Sequence, residues 1–90
     1  MATTISSGGV YNVQSSDLNI YVKTGQPVTI AAPPFPALDQ MFRVFSSVPT
    51  AAIMVSFAPN QLNKFGPTYA FGAGLDAITF VWDGVLWNAF

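Results

Sequence analysis

Apolar and polar residues alternate along this chain in short runs, and Gly, Pro, Asn or Asp interrupts them every several positions. Alternation is the period of a strand with one buried face, because successive side chains point to opposite sides of a pleated backbone. Residues 18–22 put Leu18, Ile20 and Val22 on one face, with Asn19, Tyr21 and the following Lys23 on the other. Residues 28–31 do the same with Val28 and Ile30 after Pro27, and the turn at 24–26 is short enough to make these strands antiparallel neighbours. Residues 52–57 place Ile53, Val55 and Phe57 inward and Ala52, Met54 and Ser56 outward. Shorter strands are expected at 10–13, 42–45 and 68–71. Helical spacing is absent, with room for a single turn at 36–40.

The strongest local signal is AITFVWDGVLWNAF, residues 77–90. Asp83-Gly84 suits a two-residue type I′ turn, in which both positions take positive φ. That turn sets Trp82 opposite Val85, Phe80 opposite Trp87 and Ile78 opposite Ala89. One face then carries Ile78, Phe80, Trp82, Val85, Trp87 and Ala89; Thr79, Val81, Leu86 and Asn88 line the other.

Between the strands stand the breakers. AAPPFPALDQ, residues 31–40, holds three of the seven prolines and reads as a stiff extended loop. Turns are expected around Pro49 (46–50), at Pro59-Asn60 and at 72–74, with a polar connection at 61–66. Residues 1–9 are small, polar and Gly-ended, which predicts a flexible N-terminal arm ahead of a single β domain over 10–90. The expected architecture is all-β, a small antiparallel β-sandwich or barrel of about seven to eight short strands. Neither an internal repeat nor a low-complexity tract is legible.

Composition adds an association argument. A domain of this length hides only about 60% of its unfolded surface. Yet 51% of its residues are hydrophobic and 8% are charged, against a typical charged fraction of about 25%. Association, either as a homo-oligomer or on a larger partner, is the expected remedy. The chain has no Cys and no His, which excludes disulfides, thiolate chemistry, the usual zinc sites and imidazole catalysis. Lys23, Arg43 and Lys64 are its only basic residues, too dispersed to track phosphates, so nucleic acid is not an expected partner. No run of about 20 apolar residues and no basic, apolar leader predicts membrane insertion or secretion; synthesis in the cytosol is expected.

The candidate chemistry is thin. Asp17, Asp39, Asp76 and Asp83 are each solitary and adjoin turns, without metal-loop or paired-carboxylate spacing. Ser15-Ser16 and Ser46-Ser47 lack an activating base, and Gly72-Ala73-Gly74 lacks the lysine and helix of a phosphate loop. These patterns predict no enzyme, no cofactor and no metal. Trp82 and Trp87, with Asp83 and Asn88, offer the parts of a sugar platform, but their shared apolar face reads first as core or subunit interface. Met41, Met54, Phe35 and Phe65 fit exposed anchors for a partner lattice, and Phe35 and Phe65 fit equally well as lids over the open ends of the sandwich. The candidate interface residues are therefore Phe35, Phe65, Trp82 and Trp87.

From Met41 onward the order of segments carries a likeness. MFRVFSS (41–47) precedes AAIMVSFAPN (52–60), the loop QLNKFG (61–66), and YAFGAGLDAITFVWDGVLW (69–87) with its DG turn and Trp; PVTIAAPPFP (27–36) stands upstream. This pattern resembles a module of tailed-bacteriophage structural proteins, including fibres and head-attached decorations. The resemblance implies a small β-sandwich or barrel, assembled as a homotrimer and built into the virion after synthesis in the host cytoplasm. A chain that starts with Met and stops at the hairpin looks free-standing, which favours a head decoration or cement protein bound to phage capsid proteins. The capsid lattice is then the surface that the exposed anchors would meet. A tail-fibre or receptor-binding module contacting host glycans is the alternative, and a small lectin-like carbohydrate-binding module the second.

Overall fold

The alternation at residues 18–22, 28–31 and 52–57 produces strands with one sealed face: Ile20, Val22, Val28, Ile30, Ile53, Val55 and Phe57 are all buried, whereas Leu18, expected on that face, precedes the strand and is exposed. The computed structural model describes residues 2–14, 18–46, 52–71 and 77–90. Nine short strands run through them: β1 (Ala2–Ile5), β2 (Gly9–Asn12), β3 (Asn19–Val22), β4 (Val28–Ala31), β5 (Met41–Ser46), β6 (Ile53–Ser56), β7 (Thr68–Ala70), β8 (Ala77–Trp82) and β9 (Trp87–Ala89). They form two facing sheets, one ordered β1-β3-β5-β8-β9 and the other β2-β4-β6-β7.

The connectivity is that of a short solenoid closed by a hairpin. The first six strands alternate between the sheets, so β1, β3 and β5 run parallel in one while β2, β4 and β6 run parallel in the other. Antiparallel strands then finish each sheet, β7 on β6 in one and β8 on β5 followed by β9 in the other. The expected antiparallel neighbours β3 and β4 therefore face each other across the core. A period-2 pattern fixes which face is buried; a hairpin and an arch satisfy it equally. Here residues 23–27 form the arch, tightened where the Thr24 hydroxyl accepts from the Gln26 amide at 3.1 Å. The coils lengthen from Ala2↔Asn19 to Asn19↔Arg43, so the structural repeat has no constant spacing in the sequence.

Two further expectations are corrected. Residues 2–5, assigned to a flexible arm, are the outer strand β1, paired parallel with β3 and followed by a bond from the Lys23 amide to the Ile5 carbonyl at 2.8 Å. Backbone pairing asks for few apolar side chains, and Ile5 supplies one against the core. At the last hairpin the pairing is Trp82↔Trp87 and Phe80↔Ala89, which leaves a loop of residues 83–86. Of Asp83 and Gly84 only the glycine takes a positive φ, +101°, so the turn is not type I′. The register slides by two residues, which keeps Phe80, Trp82 and Trp87 on one face and turns Val85 out to 76% exposure.

That face builds the densest part of the core. Phe42 of β5, Phe80 of β8, Trp87 of β9 and Phe57 beyond β6 are all fully buried. Their ring centroids lie 5.2 Å apart for Phe42–Phe80 and Phe57–Phe80, 5.3 Å for Phe42–Trp87 and 5.9 Å for Phe57–Trp87. Tilted and edge-on pairs of this kind add about 0.5–1.5 kcal/mol each beyond simple burial.

Candidate functional site

The polar connection QLNKFG folds into a tight turn stapled to the last strand. Leu62 is buried; its amide donates to the Gly66 carbonyl at 2.7 Å, and its own carbonyl accepts from the Phe65 and Gly66 amides at 3.1 and 3.0 Å. The Trp87 amide donates to the Gln61 carbonyl at 3.0 Å, and the Asn63 amide to the Trp87 carbonyl at 2.8 Å. So constrained, Lys64 sits at φ +74°, a left-handed conformation that costs a non-glycine residue about 1–3 kcal/mol.

Side chains extend this staple into a polar chain. The Asn63 Nδ2 donates to Asn88 Oδ1 at 3.1 Å, and Asn88 Nδ2 donates to Asp83 Oδ2 at 2.9 Å. Asp83 Oδ1 accepts from the Val85 and Leu86 amides, both at 2.8 Å. The Leu86 amide, then the Asn88 side chain, then the Val85 amide hold the Asp83 carboxyl below its ordinary pKa. A carboxyl whose folded pKa is depressed contributes stability above its unfolded pKa, and that contribution is lost as pH falls through the folded value. Acidification through and below the usual carboxylate range is therefore expected to lower the melting temperature, and Asp83→Asn to show a shallower acid loss. Equal acid slopes for the two proteins in pH-dependent melting curves would remove this role.

Between the turn and the end of β9 opens a groove of about 420 Å³, lined by Asn63, Lys64, Phe65, Asn88, Ala89 and Phe90. Phe65 is 56% exposed and Phe90 78%. The Phe65 ring is braced edge-on by Tyr69 at 5.2 Å. Phe90 is pinned by paired backbone bonds with Thr79 at 2.8 and 3.2 Å.

The four expected interface residues separate. Trp87 is fully buried, as the core reading of the hairpin face expects, and so presents no face to a sugar or a partner, which removes it from the candidate interface and platform. Trp82 is half-buried against it, with centroids 5.7 Å apart. Phe65 lies on the groove. Phe35, at 92% exposure, stands on the Pro-rich loop, held where the Asn60 side chain donates to the Pro34 carbonyl at 3.0 Å. Ring contacts among the described residues join none of the others to Phe35. Ser15, Ser16, Asp17, Ser47, the turns at 47–50 and 72–74, and Asp76 lie outside the described residues.

Sequence reasoning missed Asn63, Lys64 and Phe90 as a group; the one available signal was the Gly66 that closes the turn. It also missed a contrast between the outer sheet faces. The outer face of the β1-β3-β5-β8-β9 sheet carries Arg43, bonded through Nε to Thr79 Oγ1 at 2.7 Å and set 5.8 Å from the Phe45 ring centre. The opposite outer face bears Val10, Asn12, Thr29, Ala31, Met54, Ser56, Thr68 and Ala70, without one ionisable side chain. A depression of about 300 Å³ there is lined by Pro27, Thr29, Ala52, Met54, Ala70 and Phe71 among others.

Among the described residues no group of three or more His, Cys, Asp or Glu could hold a metal ion, and no helix is long and apolar enough to cross a membrane. No protein-family model matches the chain, and a comparison with curated proteins finds no match either.

Proposed function

We propose that this protein is a non-enzymatic virion structural protein, a homo-oligomeric decoration or cement protein seated on a phage head. The observation that carries the reading is the uncharged outer face of the β2-β4-β6-β7 sheet, where Val10 is 70% exposed and Met54 45% exposed. Charged side chains are the usual device that keeps a sheet in water and unpaired, and this face lacks them. Its small residues and the shallow depression beside Met54 suit packing against a second copy, and the resemblance to phage modules makes a trimer the favoured assembly. The charge of Arg43 on the opposite sheet favours leaving that surface in solvent. An assembled unit spanning several capsid subunits adds buried surface that must be lost before the shell opens, and repeated copies multiply the gain. No bond is made or broken in this role.

Sedimentation at micromolar concentration is expected to show an oligomer, and Met54→Glu to dissociate it while the melting transition survives. An unpaired carboxylate forced into an apolar interface costs about 3 kcal/mol or more, which is a rise in dissociation constant of about a hundredfold or more. The native protein should also copurify with phage heads. A native monomer would overturn the assembly; an oligomer that fails to bind heads would overturn the decoration role.

A further inference from the structure

We propose that the groove between residues 63–65 and 88–90 is a carbohydrate site that takes the pyranose ring of an uncharged sugar. This inference goes beyond the structural role and does not depend on it. Sugar recognition needs an aromatic face for the apolar C–H side of the ring and oriented amides for its hydroxyls. The groove brings both together: Phe65 and Phe90 are its two exposed rings, and Asn63 and Asn88 its two amides. Asn88 Nδ2 is engaged by Asp83 Oδ2 and the Leu86 carbonyl, which leaves Asn63 Oδ1, the second Asn63 Nδ2 hydrogen and one lone pair of Asn88 Oδ1 for hydroxyls. Its volume of about 420 Å³ falls within the range of ordinary ligand pockets, about 300–1,000 Å³.

Preorganisation is the second argument. A ligand site gains affinity when its groups are already held, because less freedom is lost on binding. The Asp83 carboxylate fixes the Asn88 amide, and Asn88 fixes that of Asn63. Backbone bonds to Trp87 hold the turn, and Lys64 is kept in its left-handed conformation beside Phe65. Among the described non-glycine residues Asp39 and Lys64 both take a left-handed φ, and Lys64 is the one that lines this groove. Lys64 lines the groove and Asp83 stands behind the amides, so the local charges oppose one another and favour hydroxyl groups over an ionised sugar. Phe35, although more exposed, does not line this groove.

The test is titration of the full chain with glucose, galactose, mannose and N-acetylglucosamine, followed by amide resonances of residues 63, 65, 88 and 90. Sorbitol and mannitol serve as controls, since they carry the hydroxyls but no ring face. Saturable shifts confined to these resonances are expected with at least one of the four sugars and with neither polyol. Phe90→Ala should weaken binding at least tenfold with an unchanged melting curve, because that ring is largely in solvent; Phe35→Ala should bind as the native protein does. No shift with any of the four sugars, equal shifts with the polyols, or undiminished binding by Phe90→Ala would overturn the proposal. None of these results bears on sedimentation or on binding to heads, so the two readings fail separately.

Discussion

Trp87→Ala is expected to cost about 3–5 kcal/mol of folding stability, the usual range for truncating a large core aromatic. The whole stability of a chain this size is on the order of 5–13 kcal/mol, so this variant keeps only part of the native margin. The reason is position: Trp87 meets Phe42, Phe57 and Trp82, and so joins the closing hairpin to β5 and to the segment after β6. The indole Nε1 of this buried ring has no hydrogen-bond partner among the described residues. Leaving a buried donor unsatisfied costs about 1–3 kcal/mol. Trp87→Phe removes that donor along with some volume, so its expected loss is below about 2 kcal/mol. Urea unfolding of the two variants checks both values. A loss under 1 kcal/mol (about a fivefold change in the folding equilibrium) for Trp87→Ala would show that the aromatic cluster does not hold the sheets together.

Deleting residues 2–5 is expected to lower stability by about 2–4 kcal/mol, from lost strand hydrogen bonds and the exposed core surface beneath Ile5. The parallel register of Ala2–Ile5 with Asn19–Val22 makes β3 the new edge, so its amides should also exchange faster with solvent. Thermal melting and hydrogen exchange of the truncated chain measure the two effects. An unchanged melting temperature would return these residues to the status of a loose arm, which their composition suggests.

Strand positions were legible because Ile20, Val22, Ile30, Val55 and their neighbours must be hidden on one side, and alternation records that requirement residue by residue. Strand partners were not. Val22 and Val28 seal equally well as neighbours in one sheet or as opposing walls, and local pattern is blind to the difference. At the hairpin the faces were legible but the register was not, because the Asp83 carboxylate captures the Val85 and Leu86 amides and builds a longer loop than Asp-Gly alone suggests. Exposure of Phe35 and Phe65 was open to sequence reasoning; burial of Trp87 was one of its two readings. The groove was hidden because it depends on pairing between Asn63 and Asn88, which are distant in the chain. Nothing in QLNKFG by itself reveals that its turn will be stapled beside Phe90.

The arch connecting β4 to β5 has a practical meaning for engineering. Its ends are tied to the sheets, Ala32 by its amide to the Ser56 carbonyl and Asp39 and Gln40 by backbone bonds with Trp82, but residues 33–38 make no such backbone bond among the described residues, so their number can change without shifting Ile30 or Val44. Doubling a flexible loop costs only about 0.6 kcal/mol. The segment around Phe35 is therefore a natural place to graft a foreign peptide, which would be displayed well clear of the body. If the protein coats a particle as proposed, such a graft would appear once per subunit over the whole shell, at a density set by the lattice beneath.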